Sequence, residues 1–222
     1  MTMKSRVANL RRLVSRLWQD QKAVALVEFA YSLPILTMLG LGGVEIANLS
    51  ITHMRVSQIA ISLADNASRA KQEIVAGVPR MREYDVNETF QAAALQSGGL
   101  DIQHHGRMIL SSLETNAQGG QWIHWQRCFG TANYKSSYGK EGAGVTGTTL
   151  TGMGPTGRQA RAESGFAVMF VEVVYDYEPL IFDSLVPAQP IRKVAAMYVR
   201  DDRDLTQIYN PSPAATVNSC PA

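Results

Sequence analysis

The sequence is poor in charged residues and in cysteine. Charged side chains make up 18% of the 222 residues, against about 25% in an average globular domain. Hydrophobic residues make up 45%, which excludes a chain that is disordered throughout, because such chains combine low hydrophobicity with high charge. Two cysteines are too few for a disulfide-dense scaffold.

The sequence also lacks the motifs of common active sites. It contains no phosphate-binding loop, no H-E-x-x-H zinc motif and no G-x-S-x-G nucleophile turn. Its histidines are few and scattered, and the adjacent pair His104 and His105 is predicted to lie in an exposed polar turn. The two cysteines have neither C-x-x-C nor metal-ligand spacing. We therefore predict no enzymatic activity and no cofactor.

The charge is distributed unevenly along the chain. The first 22 residues carry a net charge of +5 and the remainder −3, although the whole chain has +2. Nucleic-acid binding needs clustered Lys and Arg in the folded body, so no nucleic-acid partner is expected. A basic leader, predicted over 1–23, instead fits contact with anionic lipid or the positive-inside bias of membrane proteins.

A long apolar run follows the leader. The 22 residues Ala23–Val44 contain a single charged side chain, Glu28, and a membrane-spanning helix needs about 20 predominantly apolar residues. We predict a transmembrane helix over 24–45 with its N-terminus in the cytoplasm. The alternatives are a buried core helix and a cleaved signal peptide. The signal peptide is disfavoured because the A-x-A-like triplet Ala23–Ala25 precedes the apolar run instead of following it.

Glu28 is the unusual residue of this run. A charged side chain at the centre of a bilayer costs about 2.5–3.5 kcal/mol on insertion scales, so such residues are functional candidates. Two explanations remain open. Glu28 lies near the cytoplasmic interface and reaches water, or it pairs with the α-amino group of a neighbouring copy that has been cut between Ala23 and Val24. That cut would make Glu28 the fifth residue of the mature chain.

The residues around Glu28 resemble the TadE/TadG-like pilins of tight-adherence (Flp) pilus systems, which share the layout of type IV prepilins. The family motif reads roughly G-x-x-x-V-E-F-A-x-x-x-P and is followed by an apolar run and a second glutamate. The matching residues here are Val27, Glu28, Phe29, Ala30, Pro34 and Glu45. The residue before the cleaved bond is usually Gly in this family, and in this chain it is Ala23.

The resemblance implies a membrane-anchored structural or assembly protein, a minor pilin or pseudopilin. It implies a single-pass protein of the bacterial inner membrane with a periplasmic C-terminal domain. The implied partners are a prepilin peptidase that cuts between Ala23 and Val24, other pilins, Tad/Flp inner-membrane assembly proteins and membrane lipid. Glu28 and Phe29 would serve assembly. An unprocessed single-span envelope protein with a periplasmic binding module is the alternative. A membrane-tethered enzyme is a third possibility, for which the sequence nominates no residues.

The helical pattern continues beyond the apolar run. Apolar residues recur three or four positions apart as far as Ala70, and no Pro or Gly lies between Val44 and Glu73. We predict a periplasmic continuation over 46–72, so that the whole helix is about 70 Å long. Pro34 is predicted to kink the membrane half, because proline removes a backbone hydrogen bond.

The remainder, 73–222, is predicted to be one α+β domain with an antiparallel sheet, which gives the whole chain a pilin-like architecture. An Asp or Asn is expected to cap its short helix, and the acidic run Asp201–Asp204 is predicted to be an exposed turn. One strand face is expected to hold Met169, Val171, Val173, Tyr175 and Tyr177. The predicted elements are a helix over Asp85–Gln96 and strands over Arg107–Leu113, Gln121–Cys128, Ala167–Tyr177 and Arg192–Arg200.

A glycine-rich stretch and two cysteines complete the prediction. Residues 139–157 contain two G-x-G-x-x-G matches, but neither follows a strand nor precedes a helix, so a dinucleotide site is disfavoured. We predict a flexible surface loop, with a subunit contact as its functional option. Cys128 and Cys220 are predicted to form one disulfide in an oxidising periplasm. Two free, buried thiols are the alternative, expected in a cytoplasmic domain.

Overall fold

The structure is a computed structural model that describes residues 15, 21–72, 77–181, 183 and 186–221. Most of the predicted leader 1–23 lies outside these residues. A long N-terminal helix precedes a mixed domain, as expected for an α+β chain. The elements in chain order are α1 (Gln21–Arg69), β1 (Arg80–Arg82), α2 (Glu83–Gln96), α3 (Ile102–His105), β2 (Gly106–Thr115), β3 (Gln121–Phe129), β4 (Val168–Tyr177), β5 (Gln189–Tyr198) and β6 (Asp204–Tyr209).

Helix α1 joins the apolar run and the domain without interruption. Its 49 residues are about 72 Å long at 1.5 Å per residue, which confirms the predicted single long helix. The helical backbone continues through Pro34, and the kink expected there stays a prediction. The second half of α1 supplies one side of the domain core with Val56, Ile59, Ala60, Leu63, Ala64 and Ala67.

The C-terminal end of α1 is capped by a buried arginine. The Arg203 guanidinium donates hydrogen bonds to the carbonyl oxygens of Ala67 at 3.2 Å and Ser68 at 2.6 Å. These carbonyls belong to the last turn of α1, where the carbonyl oxygens have no hydrogen-bond partners within the helix. Asp201 accepts from Nε of Arg203 at 2.8 Å. The prediction that Asp201–Asp204 form an exposed turn is therefore wrong: Asp201 holds the cap, and Asp204 begins β6.

Four strands form an antiparallel sheet in the order β3-β2-β4-β5, which confirms the predicted sheet. β1 and β6 pair in parallel as a separate two-stranded sheet. The period of two along β4 separates the side chains onto opposite faces. Met169, Val171 and Val173 share one face, as predicted, and pack towards α1 and α2, whereas Val168 and Phe170 pack on the other face.

Helix α2 begins two residues earlier than expected, and its cap differs from the prediction. The Asp85 carboxylate accepts a hydrogen bond from the backbone N–H of Arg82 and two more from its guanidinium. Arg82 is therefore the N-cap residue and Asp85 lies inside the first turn, so the prediction of an Asp or Asn cap is wrong. From this helix Phe90 packs against Phe129 with ring centroids 5.9 Å apart.

The long connection between β3 and β4 covers the second face of the sheet. Met153 is fully buried there, and the rings of Tyr138 and Phe170 meet edge to face with their centroids 5.3 Å apart. The backbone of Ile123 in β3 exchanges hydrogen bonds with Gly142 and Ala143, both at 2.8 Å. Most residues of 139–157 are exposed, so the segment is a surface loop as predicted, although these hydrogen bonds fasten it to β3, and its flexibility stays a prediction. Isolated apolar residues in irregular backbone show no periodicity, so the pattern did not reveal this packing.

Cys128 and Cys220 form a disulfide across a sequence separation of 92 residues, as predicted. The backbone N–H of Cys128 also donates to the carbonyl oxygen of Asn218 at 2.8 Å. The disulfide and this hydrogen bond together fasten the C-terminal tail to the last residues of β3.

Candidate functional site: the projecting half of helix α1 and its junction with the domain

The first half of α1 projects from the domain. Every side chain from Val24 to Gly40 is exposed, which is about 25 Å of apolar helix. By length and composition α1 is a candidate single membrane span, and the most apolar part of it is entirely unburied. The core helix of a soluble protein would be mostly buried. The exposed projecting half therefore does not match the buried core helix that the sequence left as an alternative.

The predicted cleavage site lies in helical backbone. Residues 21–24 are helical, so the bond between Ala23 and Val24 lies within the described part of α1.

Glu28 and Phe29 both lie on the projecting half, and both are exposed. No side chain among the described residues forms an ion pair with Glu28 within one chain. Its carboxylate is therefore open to solvent or to a second molecule. Both explanations of Glu28, water at the interface and an amine from a neighbour, remain compatible with this position.

Glu45 marks the point where α1 enters the domain, and its side chain is fully buried. Its Oε1 accepts a hydrogen bond from the Tyr177 hydroxyl at 2.6 Å and from the backbone N–H of Leu180 at 3.0 Å. Its Oε2 accepts from the backbone N–H of Ile181 at 3.0 Å. A buried carboxylate is tolerated when such donors replace water. The Glu45 junction therefore ties α1 to the end of central strand β4.

The electrostatics of the Glu45 junction favour a protonated phenol. Burial, and after it the hydrogen bond to Glu45, raises the pKa of Tyr177, so that its hydroxyl continues to donate. The Asn48 side-chain amide in turn donates to the Tyr177 oxygen at 3.1 Å. Sequence reasoning named Glu45 only as the second glutamate of the family motif. A lone carboxylate where the apolar run ends marks Glu45 as unusual, but it does not indicate the partners of Glu45 in the fold.

Beyond Glu45, the side of α1 that the domain leaves uncovered carries four large apolar residues, with the exposed polar residues Ser50 and Gln58 among them. Ile46, Ile51, Met54 and Ile61 are all exposed. They fall within an arc of about 140° and extend over about 22 Å of helix. We call these four residues the outer strip of α1. The outer strip begins where the projecting half ends, so exposed apolar side chains continue along the helix past the junction.

A cleft of about 460 Å³ lies at the opposite end of the sheet, lined in part by Trp122, His124, Phe166 and Glu114. His124 Nδ1 lies 3.0 Å from both carboxylate oxygens of Glu114, and the Trp122 ring stacks on the imidazole. The hydroxyl of Ser112 also donates to Glu114. No group of three metal-ligating side chains occurs among the described residues. The cleft therefore presents the aromatic rings of Trp122 and Phe166, and its one imidazole, His124, is already paired with Glu114.

The projecting half, the Glu45 junction and the outer strip form one continuous feature of α1. Its chemistry is apolar contact along a helix, with one carboxylate satisfied inside the chain and one left open. Comparisons with known proteins found no matching family model, no matching curated protein and no matching solved structure.

Proposed function

We propose that this protein is a membrane-anchored structural subunit of a Tad/Flp-type pilus, a minor pilin or pseudopilin. In this proposal α1 spans the bacterial inner membrane, the leader is cytoplasmic and the domain is periplasmic. The observation that carries the proposal is the outer strip. A simple anchor needs apolar surface only across the bilayer, whereas a subunit that packs against neighbours needs it beyond the membrane as well.

The charge distribution and the disulfide support the proposed orientation. The leader has a net charge of +5, which favours retention on the cytoplasmic side. The disulfide between Cys128 and Cys220 favours an oxidising compartment for the domain, because such bonds persist in the periplasm and are rare in the cytosol.

Glu28 would couple insertion of the helix to assembly. A carboxylate at the centre of a bilayer costs about 2.5–3.5 kcal/mol on insertion scales, which is an upper limit for Glu28, four residues after Val24. A prepilin peptidase that cuts before Val24 would create a free amine at the end of the helix. That amine on one subunit and Glu28 on the next would be opposite charges inside the membrane, where their attraction is stronger than in water.

The outer strip provides the decisive test of packing. Met54→Glu places a charge in the strip, and Leu95→Glu places the same charge on α2. Leu95 is 83% exposed and Met54 54% exposed, so neither variant alters the core. We expect Met54→Glu to be depleted from sheared pili or cross-linked membrane complexes while its membrane level and Tm match those of Leu95→Glu. Equal incorporation of the two variants would contradict lateral packing through α1.

Processing is tested by N-terminal sequencing of the membrane-extracted protein. We expect the mature chain to begin at Val24, and Glu28→Ala to reduce incorporation without reducing membrane insertion. Deletion of the protein, followed by imaging of pili, measures its contribution to piliation. An intact leader together with unchanged pili in the deletion strain would instead identify an unprocessed single-span envelope protein.

A further inference from the structure

The turn that follows β4 holds two exposed aliphatic side chains beside the Glu45 junction. Leu180 is 66% exposed and Ile181 is 41% exposed. Their backbone N–H groups are nevertheless fixed, because both donate to the Glu45 carboxylate at 3.0–3.2 Å. The fold thus holds an apolar pair in one place without using it in the core.

The position of this pair along α1 coincides with one boundary of a bilayer. A hydrocarbon core of about 30 Å corresponds to about 20 residues of helix at 1.5 Å per residue. If the core begins at Val24, it ends near Val44, one residue before Glu45. Because the Leu180 and Ile181 backbones contact the Glu45 side chain, their own side chains lie at the level where the apolar helix leaves the lipid.

The charges around the pair indicate which lipid chemistry would hold it. The neighbouring acidic residues Glu178 and Asp183 are exposed, so attraction to anionic headgroups would not stabilise the contact. The favourable contribution would come from removing the aliphatic side chains from water. Such a contact should form on an uncharged bilayer and should change little with salt, since screening acts on charges.

We propose that Leu180 and Ile181 insert into the interfacial layer of the bilayer around α1, with Glu45 as the positioning residue. The domain is then held against the membrane at two points, the helix and this turn, which fixes its height and rotation. This inference rests on the proposed membrane span. It adds a second lipid contact that the span itself does not require.

The experiment uses the full chain in phosphatidylcholine nanodiscs, with one nitroxide spin label at a time on Leu180→Cys, Val145→Cys or Leu36→Cys. The native disulfide stays oxidised, so that the new thiol alone reacts. Leu36 reports on the span. Val145 is also exposed, but it follows Gly144, which lies against the beginning of β3. The beginning of β3 and the Glu45 junction lie at opposite ends of the sheet. Val145 is therefore about 30 Å from the junction, at about 3.3 Å per strand residue.

The measured quantity is the ratio of label collisions with oxygen, which enters lipid, to collisions with a water-soluble nickel chelate. We expect the ratio at position 180 to be several-fold above that at 145 and below that at 36. Equal ratios at 180 and 145, with a lipid value at 36, would overturn the inference and leave the span intact. An aqueous value at 36 would overturn the span as well. Dipolar broadening with an aqueous ratio at 180 would mean that another copy covers the pair, which also overturns the inference.

The positioning role of Glu45 has its own readout. In Glu45→Ala the label at 180 should become more mobile and its collision ratio should fall to the value at 145, while the label at 36 is unchanged. Glu45→Gln keeps one acceptor oxygen and should restore part of the ratio. Tyr177→Phe provides a milder variant should Glu45→Ala fail to fold. An unchanged ratio at 180 in both Glu45→Ala and Tyr177→Phe would show that Glu45 does not position the turn.

Discussion

Replacement of Tyr177 by phenylalanine tests the Glu45 junction most directly. The substitution removes the 2.6 Å hydrogen bond to Glu45 and the acceptor of Asn48, but it keeps the buried ring, so it creates little cavity. Glu45 retains the backbone donors of Leu180 and Ile181. The variant therefore removes both hydrogen bonds of the Tyr177 hydroxyl, of which the one to the buried carboxylate is the stronger.

The expected magnitude follows from the burial of both partners. Hydrogen bonds to charged groups contribute about 1.5–3 kcal/mol to stability. At about 2–4 °C per kcal/mol for a chain of this size, the Tm should fall by about 3–12 °C. Tyr198→Phe is the matched control, because its hydroxyl donates to the Arg161 carbonyl at 2.7 Å on an exposed side chain. There water can replace the lost partner, so the loss should be smaller.

The assay is thermal unfolding of the full chain in detergent, followed by near-ultraviolet circular dichroism. Equal losses of Tm in Tyr177→Phe and Tyr198→Phe would refute the reasoning, since burial would then make no difference. A second measurement varies pH. Burial and Glu45 raise the pKa of Tyr177, so its contribution to stability is complete below the unfolded value of about 10. It is lost as pH rises through the higher folded value. Tyr177→Phe should flatten this alkaline decline, and an unchanged decline would count against the assignment.

Three further predictions concern the domain, each measured by chemical or thermal unfolding. Gly142→Ala and Gly144→Ala each place alanine at positive φ, which should lower the free energy of unfolding by about 1–2 kcal/mol. Only the new Cβ at 144 lies 2.2 Å from a β3 carbonyl oxygen, so Gly144→Ala should be the less stable of the two. Equal stabilities would argue against the docking of this loop on β3. Cys220→Ser should lose about 4–5 kcal/mol and become insensitive to reductant, and a variant as stable as the parent would exclude a stabilising disulfide. Glu83→Ala leaves the Arg127 guanidinium without its buried partner at 2.6 Å and should cost about 3–5 kcal/mol; a loss below about 1 kcal/mol would mean that water reaches Arg127.

Periodic patterns predicted the elements whose burial is regular along the chain. The three- and four-residue steps in the second half of α1 report one buried face, and the nearly continuous apolar run of β4 reports a strand buried on both faces, so the existence of both elements could be inferred. The Arg203 cap and the Glu45 junction could not be inferred. Each joins residues more than 130 positions apart, and nothing local to either residue indicates its partner.

The connection between β3 and β4 shows a different limit. Its buried Met153 and its glycines at positive φ have no repeat, because irregular backbone turns each residue in its own direction. Composition alone therefore favoured a surface loop. What the glycines permit is close approach: a Cβ at Gly120 would lie 2.1 Å from the Gly147 carbonyl oxygen. Two glycine-rich segments can thus pack against each other and cover the sheet.

The two carboxylates of the apolar region meet the same physical problem with different solutions. Glu45 is buried in the domain, where three donors from the β4 end replace water. Glu28 lies 17 positions earlier on the half of α1 that the domain does not reach, and no described residue of its own chain forms an ion pair with it. In the proposed subunit that difference divides their roles. Glu45 is satisfied by folding, so its effects should appear in an isolated chain, whereas Glu28 needs a partner from outside, so its effects should appear only when subunits meet in the membrane.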